Sequence, residues 1–414
     1  MDGAPIDDAL TDPSIERGPA DGAAARFPGA KGEWARFDGP AGTQMVDVAI
    51  EAMAAFSASG DNANNHGEFA AADACDELTA TARSTVAELL GAAAEGVWFG
   101  ANMTTMTFAF TRALARDWRR GDRIVGTSLD HDANVSTWQQ AASDCGVDHV
   151  LAPLDPATGR LDPQSVIDLI DDRTRWVAIS GASNLLGTIP DVRTVADAAH
   201  SAGANVFVDA VHLAPHRRVD IAALGADALV TSAYKWYGPH AATMWVRPDL
   251  LAELQPYKVR PASDDGPARL ETGTPNFEAI AALIAAARYL IDTGFDEIER
   301  SEAAVFAPLL DGLGAIDGVR VYGPADLTNR TPTVSFTVDG HHPDDVAAAL
   351  ATDRIAVWSG DSYAVEVARS LGVHRRGGVV RAGVVRYVTH DDVGRLLTAV
   401  GRLAGNRAPT APNP

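Results

Sequence analysis

The chain has 414 residues, 46% of them hydrophobic and 21% charged, with a formal net charge of −21. Such a composition is globular and long enough for two domains with a large core, and so acidic a surface argues against nucleic acid and anionic membranes as partners. Two cysteines, Cys75 and Cys145, exclude a disulfide framework and a multi-cysteine metal motif, and no metal site is expected.

Residues 1–25 are rich in Asp, Ala, Gly and Pro and are expected to form a flexible N-terminal segment. They lack the basic and apolar regions of a signal peptide. No run reaches the length of a membrane span, so a cytoplasmic protein is expected. From Thr43 to Leu90 the pattern is mainly helical, with few breakers between Glu68 and Leu90. Strands then alternate with helices. Val97–Phe99 reads as a strand before a helix at Thr104–Trp118, and Arg123–Gly126 as a strand before a helix at Val135–Ser143. Trp176–Ser180 precedes a helix at Val192–Ala202. Val206–Asp209, Ala228–Thr231 and Thr243–Val246 are further strands, and an Ala-rich helix follows Ile280. Short apolar strands alternating with helices predict α/β architecture, a mostly parallel sheet sandwiched by helices, over a large domain at residues 26–295. Beyond it, Val319–Tyr322, Thr333–Val338, Ile355–Val357 and Val379–Val384 are strand-like and interleave with helices at Pro343–Thr352 and Asp391–Leu403. This predicts a smaller α+β domain at residues 296–405, followed by a disordered Pro-rich tail at residues 406–414.

In an open α/β sheet, ligands sit beyond the carboxyl ends of the strands. The residues there suggest one chemistry. Asp209 closes an apolar run, and Lys235 lies just past the next one, inside Thr231–Pro239 (Thr-Ser-Ala-Tyr-Lys-Trp-Tyr-Gly-Pro). An acid and a lysine that each close a strand of one sheet suggest a pyridoxal phosphate (PLP) site. The lysine forms an imine with the aldehyde, and the acid pairs with a protonated pyridine nitrogen. A carboxylate ending such a strand is costly to bury unless paired, and a salt bridge to Arg would serve equally. Lys235 among Tyr234, Trp236 and Tyr237 would have a depressed pKa and act as nucleophile and base.

The turn Gly100–Thr105 opens a helix whose free N–H groups suit a phosphate, although Thr104 alone also suits a plain N-cap. His131 lies in the loop after Arg123–Gly126, where an imidazole could stack on a pyridine ring and relay protons as a catalytic residue. Asn184 follows Trp176–Ser180; its amide could reach a phenolic oxygen or simply form a turn. His212, three residues past Asp209, could reach the same ring edge.

These motifs together resemble the class V aminotransferase superfamily, and most closely its cysteine desulfurase-like branch, from about Phe27 to Leu403. Val208–His212 resembles the acid motif, Ser232–His240 the lysine motif, and Phe37–Gln44 the first segment lining the site. Asn62–His66 resembles a substrate-side loop, Glu271–Thr274 the loop that reaches the other subunit's phosphate, and Arg381–Gly383 the segment that grips the substrate carboxylate.

The resemblance implies a PLP-transferase of fold type I with a seven-stranded sheet. It also implies a homodimer in which Thr274 reaches the partner's site, and a small amino acid as substrate. It makes Lys235 the Schiff-base lysine and His131 the stacking residue. Asn102, Met103, Thr104, Ser232, Gly273 and Thr274 become phosphate-side residues, Asp209 the pyridinium partner, and Asn184 and His212 contacts of the phenolic oxygen. Arg381 becomes the α-carboxylate clamp, with His66, Ala41 and Gly42 facing the substrate, and in the small-domain loop Asp361, Ser362 or Tyr363 is expected to touch it as well. Two positions depart from the family pattern. Tyr234 stands where a His usually precedes the lysine, and His212 where Gln is usual.

A third departure is larger. Desulfurases carry a sulfur-accepting Cys in a loop of the small domain, and the matching stretch Ile355–Ala364 contains none. Cys145 is expected on the order of 15 Å from the strand ends, and Cys75 reads as buried filler. The expected reaction is therefore C–S lysis by β-elimination from a cysteine derivative. Transamination, epimerisation and cofactor binding without turnover remain as alternatives.

Overall fold

The computed structural model describes residues 22–405. The tail at residues 406–414 and most of the segment at residues 1–25 lie outside the described residues. After a short strand β1 (Ala35–Arg36), seven strands build the central sheet: β2 (Val97–Gly100), β3 (Arg123–Thr127), β4 (Asp148–Ala152), β5 (Thr174–Ser180), β6 (Asn205–Asp209), β7 (Ala228–Ser232) and β8 (Ala242–Val246). Their spatial order is β2-β8-β7-β6-β5-β3-β4. Neighbours from β4 to β7 pair in parallel, and β8 runs antiparallel to both β7 and β2. The mostly parallel α/β sheet expected from the sequence is present. The strand missing from the apolar pattern is β4: Asp148-His149-Val150-Leu151-Ala152 is a partly exposed edge strand, so its sequence lacks a continuous apolar run.

The longer helices of this part are α1 (Asp47–Ser59), α2 (Ala70–Leu90), α3 (Met103–Leu114), α4 (Ser136–Cys145), α5 (Val192–Ser201) and α6 (Phe277–Thr293). They cover both sheet faces, and strand residues alternate between the two resulting cores. Val206, Val208 and Leu229 face one core with Val177 and Ile179. Trp176, Phe207, Ala228 and Val230 face the other. There Phe207 stacks on Phe110 of α3 at 5.7 Å and meets Trp138 of α4 edge-on at 5.3 Å. The alternation ends in polar residues at the carboxyl ends of β3, β5, β6 and β7: Thr127, Ser180, Asp209 and Ser232, all buried. Ser180 and Asp209 are direct neighbours in the register.

A second, antiparallel sheet has the order β12-β13-β10-β9, with β9 (Val319–Tyr322), β10 (Thr333–Val338), β12 (Trp358–Gly360) and β13 (Val379–Gly383). Helices α7 (Phe295–Ala315), α8 (Pro343–Thr352) and α9 (His390–Gly405) pack with it. A two-residue strand, β11 (Ile355–Ala356), pairs in parallel with β1. The stretch at residues 35–41 thus reaches the site while hydrogen-bonded to β11.

Three contacts fix the two sheets against each other beside the strand ends. The buried Arg330 guanidinium donates to the carbonyls of Leu186 (3.3 Å) and Thr333 (2.6 Å). Ser335 Oγ donates to Leu185 O at 2.6 Å. His216 Nδ1 and Glu302 Oε2 lie 2.8 Å apart, both side chains buried.

Candidate active site

Lys235 ends a short 3-10 turn directly after β7. Its Nζ donates to the backbone carbonyls of Pro40 and Ala41, the latter at 2.9 Å. Burial, reinforced by the Arg381 guanidinium, lowers its pKa to about 7, against the opposing pull of Asp209. The aromatic neighbours divide their tasks: Trp236 and Tyr237 are buried in the core, while the Tyr234 ring lies 5.2 Å from Nζ and stacks on His240. A Cβ at Gly42 would stand 3.2 Å from Tyr234 Cδ2, so a glycine there lets the segment carrying Ala41 lie close to that ring.

Asp209 accepts a hydrogen bond from Val211 N–H at 2.9 Å, and burial raises its pKa to about 6. Beside it, Asp130 is pushed to about 7, first by burial, against donors from Thr127 and Asn134. Asn134 Nδ2 donates to Asp130 Oδ1 at 2.8 Å. No pattern in the sequence marked Asp130; its only signal is its place before His131.

The Nδ1 of His131 accepts from Ala133 N–H at 3.0 Å, which puts the proton of the neutral ring on Nε2. Burial, Lys235 and Arg381 lower its pKa to about 3. Across the site, buried Arg381 on β13 donates to Asn184 O at 2.9 Å, and burial lowers its pKa to about 10. Asn184 Nδ2 donates to Ser362 O at 2.8 Å. Among the described residues, nothing hydrogen-bonds the buried Asn184 Oδ1 or Arg381 Nε. His212 Nε2 pairs with Thr333 Oγ1 at 3.0 Å, and its pKa is lowered, mainly by burial.

On the remaining side, the N-terminus of α3 meets β7. Asn102 caps α3 by accepting from Thr105 N–H at 2.9 Å. Met103 N–H donates to Ser232 Oγ at 3.2 Å, and Thr104 is the next residue of the helix. The N-terminus of a helix with the Ser232 and Thr104 hydroxyls beside it suits a phosphate. The buried acid suits a protonated ring nitrogen, and the orphaned amide and guanidinium atoms suit oxygens of a bound amino acid or ring. The residues therefore fit PLP.

Gly273 and Thr274, expected to serve the partner's site, lie on the loop before α6. They line a cavity of about 940 Å³ beside Gly100, Ala101 and Thr105. Their loop is anchored by Glu271, which accepts from Phe99 N–H at 3.0 Å and pairs with Arg83 at 2.7 Å. His66 is exposed on the loop before α2 and pairs with Asp76 at 3.0 Å. Tyr363 reaches the group from the smaller sheet, its ring stacked with that of His131 at 5.6 Å.

A doubly covered open sheet with this lysine and acid at its strand ends is the plan of the PLP-dependent enzymes of fold type I. Comparison with known sequences narrows the class. The Aminotransferase class-V family profile matches residues 36–396, and the chain belongs to that family of PLP-dependent enzymes.

Among curated relatives, a probable cysteine desulfurase 2 of Mycobacterium leprae is 31% identical over 389 residues, covering 89% of this chain and 91% of the relative. A cysteine desulfurase of Yersinia pestis is 31% identical, covering 80% of this chain and 84% of the relative. Among solved structures, the chain is similar to an apo cysteine desulfurase from Thermococcus onnurineus, with a TM-score of 0.88 at 29% identity, covering 94% of this chain and 99% of the other. A cysteine desulfurase from Escherichia coli superposes with a TM-score of 0.86 at 26% identity, covering 95% and 100%. The cysteine desulfurase-like branch is thus the right one.

Proposed function

We propose that the chain is a C–S lyase that removes the α-proton of a cysteine derivative and expels a sulfur leaving group from Cβ. The observation that carries this reading is the loop Ile355–Ala364. A desulfurase is expected to present its sulfur-accepting cysteine there, and this chain has Tyr363 and no thiol. Cys75 is buried in α2, its Sγ against the carbonyls of Asp61 and Ala63. Cys145 ends α4 and donates to Ala115 O at 3.3 Å.

Bound PLP supplies an electron sink that makes the α-proton of an amino acid removable. The chain's residues do the rest. The α3 N-terminus, Ser232 and Thr104 would hold the phosphate, and Asp209 would favour a protonated ring nitrogen. Arg381, still cationic at neutral pH, binds the α-carboxylate. Neutral His131 covers the ring face. Lys235, with its pKa near 7, takes the proton from Cα. The Cβ–S bond breaks with its electron pair on sulfur, and a thiol or sulfenate leaves without a protein acceptor. Water then releases the keto acid and ammonia.

The test is turnover of a cysteine conjugate by the purified, PLP-loaded protein. Keto acid is expected over many turnovers with no added amino acceptor. A single turnover stopping at the pyridoxamine form identifies a transaminase, and solvent deuterium at the α-carbon without net product an epimerase. No spectral change with any amino acid identifies a PLP-binding protein without turnover. In Lys235→Ala, borohydride no longer fixes the cofactor covalently, and turnover falls by about 100-fold or more.

A further inference from the structure

The loop after β12 has an unusual backbone. Ser362 and Tyr363 are consecutive non-glycine residues at φ 51° and 59°, two positions after Gly360 at 104°. Left-handed φ is costly for residues with a Cβ, and it persists only where the surroundings impose it. Here they do so from several directions. Asn184 Nδ2 donates to Ser362 O at 2.8 Å, and Asp132 N–H donates to Tyr363 O at 2.6 Å. Tyr363 N–H donates to Asp361 Oδ1 at 3.0 Å, and Asp361 Oδ2 lies 3.5 Å from His374 Nδ1. At the loop's base a Cβ on Gly378 would stand 2.2 Å from Gly360 C, so only glycine allows the two strands to close there.

All this restraint presents a side chain that the fold does not bury. Tyr363 is 71% exposed, yet its ring is held nearly parallel to that of His131, 26° from coplanar. Burial of its own ring therefore does not account for the strained backbone. The same loop is one residue removed from the carboxylate clamp: Arg381 donates to Asn184 O, and Asn184 donates to Ser362 O. The ring is thus tied, through Ser362 and Asn184, to the guanidinium read above as the carboxylate clamp.

We propose that Tyr363 is a specificity-determining residue, a flat wall beside His131 that favours amino acids whose β-sulfur carries an aryl or similarly flat, polarisable group over small amino acids. The proposal rests on the amino-acid-binding reading above and adds the substrate class. Aromatic pairs of this kind favour binding by about three- to ten-fold.

The experiment measures equilibrium binding to the PLP-loaded protein, by the change in cofactor absorption and by calorimetry. The probes are L-alanine and the carbon isostere of S-benzylcysteine, in which a methylene replaces the sulfur and no leaving group exists. Wild type is expected to prefer the isostere by at least the stacking increment, about three- to ten-fold. Tyr363→Phe keeps the ring and is expected to keep that ratio. Tyr363→Asn removes the ring but tolerates left-handed φ, and is expected to lose the stacking part of the preference. Tyr363→Gly serves as a second ring-less variant for the case that the Asn variant does not fold.

An undiminished ratio in the ring-less variants, or no preference in wild type, overturns the assignment of Tyr363 while amino-acid binding stands. If neither probe binds wild type, the amino-acid reading itself fails, and this proposal fails with it.

Discussion

An amine attacks an aldehyde only after losing its proton, so the environment of Lys235 sets the pH at which the chain captures its cofactor. An ordinary lysine is neutral only above about pH 10. Burial and Arg381 bring Lys235 to about 7. Mixing cofactor-free protein with PLP at a series of pH values is expected to give a capture rate that rises through about pH 7 and then levels off. A rate that climbs steadily towards pH 10 would identify an unperturbed surface lysine. Arg381→Met removes the neighbouring cation and moves the midpoint upward. The same depression has a stability consequence in the cofactor-free protein. Between about 7 and the unfolded value the unfolded chain holds a proton that the folded chain has released, so this lysine's contribution to stability falls as pH drops through that window.

These residues meet because four strands end in polar side chains at one edge of the sheet, and that much is readable from the sequence. An apolar run closed by Asp209, and another followed by Lys235, mark strand ends without any coordinates. Other parts carry no local signal. The partner of His212 is Thr333, 121 positions away, and the acceptors of Lys235 are the Pro40 and Ala41 carbonyls, which every residue possesses. Asp130 is one of several acids in a polar loop until folding buries it. Helix α7 was hidden by Pro308 and by Gly312 and Gly314 in its last turns, residues that normally interrupt a helix. His66 carried only a motif likeness, and in the structure it is exposed and pairs with Asp76. The alternating cores give a prediction at this scale. Phe207 is fully buried between Phe110 and Trp138. Phe207→Ala is therefore expected to cost about 3–5 kcal/mol in denaturant unfolding. Because Asp209 lies two residues along on the same face, the variant is also expected to hold PLP less tightly.

Across the whole molecule, the site is complete only while the two sheets keep their relative position, because Arg381, Tyr363 and Thr333 come from the smaller one. The His216–Glu302 contact is buried at that junction, and Tyr237 adds to it, its hydroxyl 3.4 Å from Glu302 Oε1 while accepting from Arg386 N–H at 3.2 Å. His216 also meets the ring of His212 edge-on at 5.5 Å, which links the junction to the floor of the site. Deleting one member of such a pair strands the other without a partner in a dry interior, which costs about 3–5 kcal/mol; replacing the acid by its amide keeps the shape and one hydrogen bond. Glu302→Ala is thus expected to lower the melting temperature more than Glu302→Gln. Its effect should extend past stability. If the junction positions Arg381 and Thr333, Glu302→Ala weakens amino-acid binding to the PLP-loaded protein at temperatures where it is still folded. His216→Ala should then add little to it, because the two changes remove one shared contact. Additive losses in the double variant would mean that the two residues stabilise their own units separately, and that the relative position of the sheets is set elsewhere, with Arg330 as the next residue to test.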